Sequence, residues 1–227
     1  MVVGGIGAER DSEIIIIGGT EDNTCQKPAD LPYFGFWVSG GYANGNPMVA
    51  GGGDSTDCYS YSFDVDSWTE EEPLLTVREG AQSVVLEDGT LWITGGRDSS
   101  NLQSTTELRS KEGVTAGRSL PYRTAFHCLV NLNETHVFLG GGMSDVPDRY
   151  ENRSFILNLE TEIWTELPEM NMDRYGHTCA LLPNPPRVMV IGGYSHDQTG
   201  KISSTSTTEI FDFSPVHVRF ETSFTNV

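Results

Sequence analysis

Apolar and polar positions in this 227-residue chain fall into short blocks rather than long stripes. Apolar runs of a few residues recur, each closed by a double glycine. They are Met1-Val2-Val3 before Gly4-Gly5, Met48-Val49-Ala50 before Gly51-Gly52, Trp92-Ile93-Thr94 before Gly95-Gly96, Val137-Phe138-Leu139 before Gly140-Gly141, and Met189-Val190-Ile191 before Gly192-Gly193. Counted between first glycines, the intervals are 47, 44, 45 and 52 residues. A repeat of this length predicts one supersecondary unit of four short strands used again and again. Between the glycine pairs, runs such as Tyr59-Ser60-Tyr61-Ser62-Phe63 follow the two-residue period of a strand with two differently packed faces.

Labelling the strands of a unit a to d from the inside outward, strand b is the run ending in Gly-Gly. Strand c carries an acidic-apolar pair, as in Ser12-Glu13-Ile14, Thr106-Glu107-Leu108 and Thr208-Glu209-Ile210, or an apolar run such as Phe155-Ile156-Leu157. Strand d contains Trp68 or Trp164 followed by Thr-Glu, and stops at Leu31-Pro32, Leu120-Pro121 and Leu167-Pro168, since proline has no N–H for a ladder. Strand a starts after an arginine: Arg78-Glu79-Gly80, Arg123-Thr124-Ala125 and Arg174-Tyr175-Gly176. Asn44-Gly45 and Asp88-Gly89 supply the a–b hairpin turns. Ile14 to Ile17 before Gly18-Gly19 imitates strand b, but counting it leaves no room for strands c and d. Read as strand c, with strand d at Cys25 to Pro32, it makes Glu13…Leu31-Pro32-Tyr33 parallel to Glu107…Leu120-Pro121-Tyr122.

Double glycine after an apolar strand, a tryptophan in the outer strand and the start Arg174-Tyr175-Gly176-His177 resemble kelch repeats over essentially the whole chain. The resemblance implies an all-β, kelch-type β-propeller whose blades surround a central channel. About five four-stranded blades are expected, the first lacking its inner strand: 1–32, 33–75, 76–121, 122–171 and 172–227. No spare strand a at the end closes the ring, so a fragment of a six-bladed ring is favoured over an imperfect five-bladed one.

Charge narrows the range of partners. With 14 Lys+Arg against 32 Asp+Glu, the formal net charge is −18, which disfavours nucleic acid and anionic membrane. No apolar stretch is long enough for a membrane helix. Cys25 in strand d and Cys58 at the start of the next strand c stand where a bridge between neighbouring blades fits, and two free thiols there remain the alternative. Cysteine at these places resembles extracellular invertebrate kelch proteins, which implies a disulfide there and a secreted home, with the cytoplasm as alternative. Cys128 and Cys179 fall at one equivalent point of successive blades, too far apart for a bridge, and read as buried thiols. Asn133 and Asn152 open glycosylation acceptor motifs.

No catalytic constellation emerges. The five histidines do not cluster, and no paired spacing suggests a metal ligand set. Copper-radical oxidases resemble kelch propellers, but their adjacent Tyr-His pair is missing, and Tyr175 with His177 is only a faint echo. The expectation is therefore no enzyme, no metal and no cofactor. What remains is a loop surface. Alternating strand directions put the b–c and d–a loops on one face, and the b–c loops offer Arg97, Asp98 and Asn101, then Asp145, Arg149 and Tyr150, then Tyr194 and His196. Aromatic and arginine side chains on one rim suit a protein or glycan partner. The rival is the substrate-receptor role of cytoplasmic kelch proteins in ubiquitin ligases, whose N-terminal cullin-binding region has no counterpart in this sequence.

Overall fold

The computed structural model describes residues 28–33, 35–145, 149–197 and 199–213. Among these residues the chain is all-β, and it builds four radial sheets. Blade I comprises β1 (Ser39–Ala43), β2 (Asn46–Ala50), β3 (Cys58–Ser62) and β4 (Ser67–Glu71). Blade II comprises β5 (Gln82–Val85), β6 (Leu91–Thr94), β7 (Thr106–Ser110) and β8 (Gly113–Gly117). Blade III comprises β9 (Cys128–Asn131), β10 (His136–Gly140), β11 (Ser154–Asn158) and β12 (Ile163–Glu166). Blade IV holds β13 (Thr178–Pro183), β14 (Pro186–Ile191) and β17 (Thr208–Asp212), with a small hairpin, β15 (Tyr194–His196) and β16 (Ile202–Ser204), inserted before β17. Neighbouring strands within each sheet pair antiparallel. The expected partial blade over 1–32 lies outside the described residues except for its last five, and so does the part of the expected blade 172–227 beyond 213.

Two-sided burial follows from the strand period. Met48, Ala50 and Cys58 of blade I pack with Leu91 and Ile93 of blade II. Trp92 of blade II packs with Leu129, Val137 and Leu139 of blade III. Phe138 and Cys128 pack with Val188 and Val190 of blade IV. The outer-strand tryptophans tie blades I and III to the segment before each: Trp68 Nε1 donates to Ala29 O at 2.9 Å and Trp164 Nε1 to Ser119 O at 3.1 Å. The Asn44-Gly45 turn has φ of 55° and 89°, the paired left-handed geometry of a tight hairpin.

The glycine pairs end strand b because both residues take positive φ: 63° and 91° at Gly51-Gly52, 59° and 91° at Gly95-Gly96, 63° and 95° at Gly192-Gly193. In blade III the pair is Gly141-Gly142, at 65° and 106°, while Gly140 is the last residue of β10. This corrects the sequence reading by one residue. It also removes Arg123 from the equivalent of Arg174. Gly96 N donates to Thr124 O and Gly142 N to Arg174 O, both at 2.8 Å, so Thr124 holds the arginine position. Arg123 is an exposed side chain 3.9 Å from Asp145.

The same slip changes the cysteines. Cys128 lies opposite Gly140, whereas the equivalent residue of blade IV, opposite Ile191, is Thr178. Cys179 is therefore one residue further along and faces the other side of its sheet. Cys128 looks toward blade IV and Cys179 back toward blade III. Their α-carbons are 5.8 Å apart and they form a disulfide, so the reading as two buried thiols is wrong. Because the bridge closes a separation of 51 residues, replacing both cysteines by serine is expected to lower stability by about 4 kcal/mol, measured as the urea unfolding midpoint of the oxidised protein and the double variant. Cys58 is a buried free thiol whose Sγ donates to Thr56 O at 3.6 Å, and burial pushes it up to about 11. Its expected partner, Cys25, lies outside the described residues.

A second period is superimposed on the blades. In blades II and IV the carbonyl of the first glycine accepts from an arginine: Arg78 Nη1 to Gly95 O at 2.8 Å and Arg174 Nη1 to Gly192 O at 3.0 Å. Each arginine pairs with a strand-c glutamate, Arg78 with Glu107 at 2.7 Å and Arg174 with Glu209 at 2.6 Å. In blades I and III a tyrosine replaces the arginine. Tyr33 Oη donates to Gly51 O and Tyr122 Oη to Gly141 O, both at 2.7 Å, and their rings pack on Tyr59 and Phe155, which hold the glutamate position. Alternate blades thus satisfy one buried carbonyl by two different chemistries.

Candidate functional site

The b–c and d–a loops meet at one mouth of the channel. Two residues before each inner strand the backbone is left-handed, at Trp37, Gly80, Phe126 and Gly176, with φ of 55°, 66°, 56° and 62°. These positions are stitched from blade to blade. Gly80 N donates to Trp37 O at 3.3 Å, Phe126 N to Gly80 O at 2.7 Å and Gly176 N to Phe126 O at 2.8 Å. Glycine suits such a backbone, whereas a residue with a β-carbon costs about 1–2 kcal/mol there. Blades I and III nonetheless place a bulky aromatic at it, Trp37 and Phe126. Gly80 makes this arrangement possible, because a β-carbon there would come within 2.6 Å of the Phe126 ring. Phe126 lies across blade II and meets Trp37 edge-on at 5.1 Å.

From Phe126 the aromatic arc continues over blade IV. Tyr175 lies 6.2 Å from Phe126, stacks on Tyr194 at 5.4 Å and touches Tyr150 at 4.3 Å. Tyr150 stacks in turn on the His196 ring at 4.7 Å. The inserted hairpin carries Tyr194 and His196, and a backbone pair between Tyr175 and Tyr194, 3.0 and 2.9 Å, fixes it to the mouth. His196 Nδ1 faces Asp173 Oδ2 at 2.7 Å, and Ser195 Oγ donates to Oδ1 at 3.0 Å. Burial would raise the Asp173 carboxyl, but these bonds outweigh it and hold the group below the usual carboxylate range. The hydrogen bond to Asp173 fixes the ring orientation of His196.

At the other end of the arc stands Arg97. Its Nη2 is 2.6 Å from Glu79 Oε1, and its guanidinium lies 5.8 Å from the Trp37 ring centre and 5.6 Å from that of Phe126. Beside it opens a cleft of about 490 Å³ lined by Asp54, Glu79, Asp98, Asn101, Leu102 and Met143, among others. Asp98 Oδ1 accepts from the amides of Ser100 and Asn101 at 2.8 and 2.7 Å, which holds the carboxyl below its ordinary value. Among the described residues no group of three His, Cys, Asp or Glu side chains converges as a metal site.

No family model matches the chain. It is 27% identical to Kelch-like protein 15 of Homo sapiens over 60% of its own length, and it spans about a quarter (26%) of that relative. It shares its fold with the structure of YjhT, at a TM-score of 0.72 over 85% of this chain and 73% of that one, with 16% identity. The sequence likeness to a kelch-like protein supports a kelch-repeat family for this chain.

In this propeller the residues expected at the rim separate into three groups. Arg97, Asp98 and Asn101 line one cleft. Tyr150, Tyr194 and His196 join through Tyr175. Asp145 and Arg149 stand exposed on the third b–c loop, outside the arc. Sequence reasoning missed Trp37, Phe126, Glu79 and Asp173 and gave Tyr175 no part. A signal existed for the first two. Aligning inner strands puts Trp37 and Phe126 where the other kelch units carry Gly80 and Gly176, and a bulky residue at a glycine position draws attention. Of the glycosylation acceptors, Asn133 is exposed in the β9–β10 turn, and Asn152 is half-buried with its amide nitrogen donating to Glu169 at 3.0 Å.

Proposed function

We propose that this kelch propeller is a non-catalytic recognition module that takes a protein or glycan partner on the mouth built by its b–c and d–a loops. One observation carries the reading: two bulky aromatics occupy left-handed backbone positions that alternate blades give to glycine, and strain kept in place by surrounding structure gathers at functional sites. The kelch-like relative supports an interaction fold in general. The inter-blade Cys128–Cys179 bridge supports an oxidising, extracellular compartment.

The test compares the wild-type propeller with an Arg97→Ala/Tyr150→Ala/Tyr194→Ala variant on an immobilised glycan array and against a displayed peptide library. The expected result is selection of one ligand class by the wild type and at least about 100-fold weaker binding by the variant, as for the loss of several interface anchors, with circular dichroism unchanged. Equal binding by both proteins removes this mouth as the recognition surface.

A further inference from the structure

Resting on the recognition reading above, we infer that the partner presents a cationic peptide segment whose lysine or arginine side chains lie against the aromatic arc, with the carboxylates of Asp54 and Asp98 at its Trp37 end. The rings are open to solvent at both ends of the arc: Phe36, which meets Trp37 edge-on at 5.1 Å, is 54% exposed, Trp37 37% and Tyr194 45%. Aromatic faces attract cations through their quadrupole, most strongly where a carboxylate is also near. The propeller already displays this chemistry within its own chain, since the Arg97 guanidinium sits over Trp37 and Phe126 with Glu79 as counter-ion. That guanidinium is neutralised by Glu79, and Arg123 nearby faces Asp145. Asp54 is exposed at the cleft, and Asp98 is kept ionised by two backbone amides.

The wider surface acts in the same direction. A formal charge of −18 attracts basic segments over a range set by salt and repels acidic ones. An acidic peptide would meet Asp54 and Asp98, and the Arg97 beside them is already paired with Glu79. A neutral sugar would use the rings but gain nothing from the carboxylates. An extended peptide that alternates small residues with lysine or arginine uses both.

The experiment measures fluorescence anisotropy of three short labelled peptides of equal length, one Lys/Arg-Ser-Gly, one Glu/Asp-Ser-Gly and one Gln-Ser-Gly, added to the full propeller. The basic probe is expected to bind at least about tenfold more tightly than the other two and to weaken at least about tenfold between about 50 and about 300 mM salt. Charge-neutral substitutions separate a built site from general attraction to an acidic protein. Tyr194→Ala and Trp37→Gly, the latter restoring the glycine of blades II and IV, are each expected to weaken the basic probe about fivefold to tenfold, while Tyr194→Phe keeps its affinity. Tyr194 is exposed, so its variants report on binding even if Trp37→Gly disturbs the fold.

Unchanged affinity in Tyr194→Ala, or equal binding of the acidic or neutral probe, overturns the inference. If the triple variant of the recognition test still loses a ligand found on the arrays, the mouth stands as a recognition surface and only its cationic occupant is wrong. If no ligand responds to any of these variants, both fall.

Discussion

Replacing Glu107 with alanine is expected to destabilise the propeller by about 3–5 kcal/mol, the range found when one member of a buried ion pair is removed. Glu107 and Arg78 are each 1% exposed. The carboxylate accepts from Arg78 Nε at 2.7 Å, Leu75 N at 2.7 Å, Thr76 N at 3.2 Å and Thr76 Oγ1 at 2.8 Å. The guanidinium also donates to Gly95 O and Thr105 O, at 2.8 and 2.7 Å. One glutamate therefore anchors the segment that crosses from blade I into blade II, and its loss strands a buried guanidinium and two amides. Urea unfolding of Glu107→Ala beside the exposed control Arg118→Ala, whose pairing with Glu162 is at the surface and worth less than about 1 kcal/mol, measures the difference. A Glu107→Ala loss no larger than that of the control would sink the prediction.

Blade III supplies a sharper form of the experiment. At the positions of Thr76, Arg78 and Glu107 it carries Tyr122, Thr124 and Phe155, with the Tyr122 hydroxyl on the glycine carbonyl. Transplanting that set as Thr76→Tyr/Arg78→Thr/Glu107→Phe is expected to recover most of the loss and to end within about 2 kcal/mol of wild type, because a well-packed apolar set can match a buried ion pair.

Acidification is the second large effect. His127 and His177 directly precede β9 and β13 and are 0% and 7% exposed. Each imidazole packs on the first left-handed glycine of the blade before it, His127 on Gly95 and His177 on Gly141. His127 Nε2 is 2.8 Å from Thr94 Oγ1, while its Nδ1 and both nitrogens of His177 have no well-formed partner. Burial, reinforced by His177, pushes His127 down to about 3, and burial, reinforced by Arg174, pushes His177 down to about 4. The folded values lie below the unfolded value near 6.5, so below that pH the unfolded chain takes up protons that the fold refuses. Stability is complete above about pH 6.5 and falls by about 1.4 kcal/mol per unit for each histidine as pH drops. At pH 5 this amounts to about 2 kcal/mol each and about 4 kcal/mol together. Urea midpoints between pH 7.5 and 5 measure it, and His177→Met is expected to halve the slope. A flat profile over that window contradicts the burial assigned to these rings.

Much of the architecture was legible in the chain because its cues are local. Glycine pairs with positive φ, the Asn44-Gly45 turn and the period-two strands around Tyr59 and Phe155 each act within a few residues. Legibility failed at Gly140-Gly141-Gly142, where three glycines in a row hide which two turn, and that single ambiguity misplaced Arg123 and separated Cys128 from Cys179. The rim was half legible. Arg97, Tyr150, Tyr194 and His196 lie in recognisable loops, but Trp37 and Phe126 become neighbours only because Gly80 of the blade between them has no side chain.

The amino-acid sequence alone determined a repeated antiparallel unit with glycine-ended inner strands and an acidic surface, since turn chemistry, strand period and charge are properties of short segments. Tertiary structure decided which faces meet: the bridge between blades III and IV, the alternation of arginine–glutamate and tyrosine solutions beneath the glycine carbonyls, and the continuous arc at the channel mouth. Each of these depends on a one-residue register and on the side chain that an adjacent blade does or does not provide, and neither is encoded near the residues that come together.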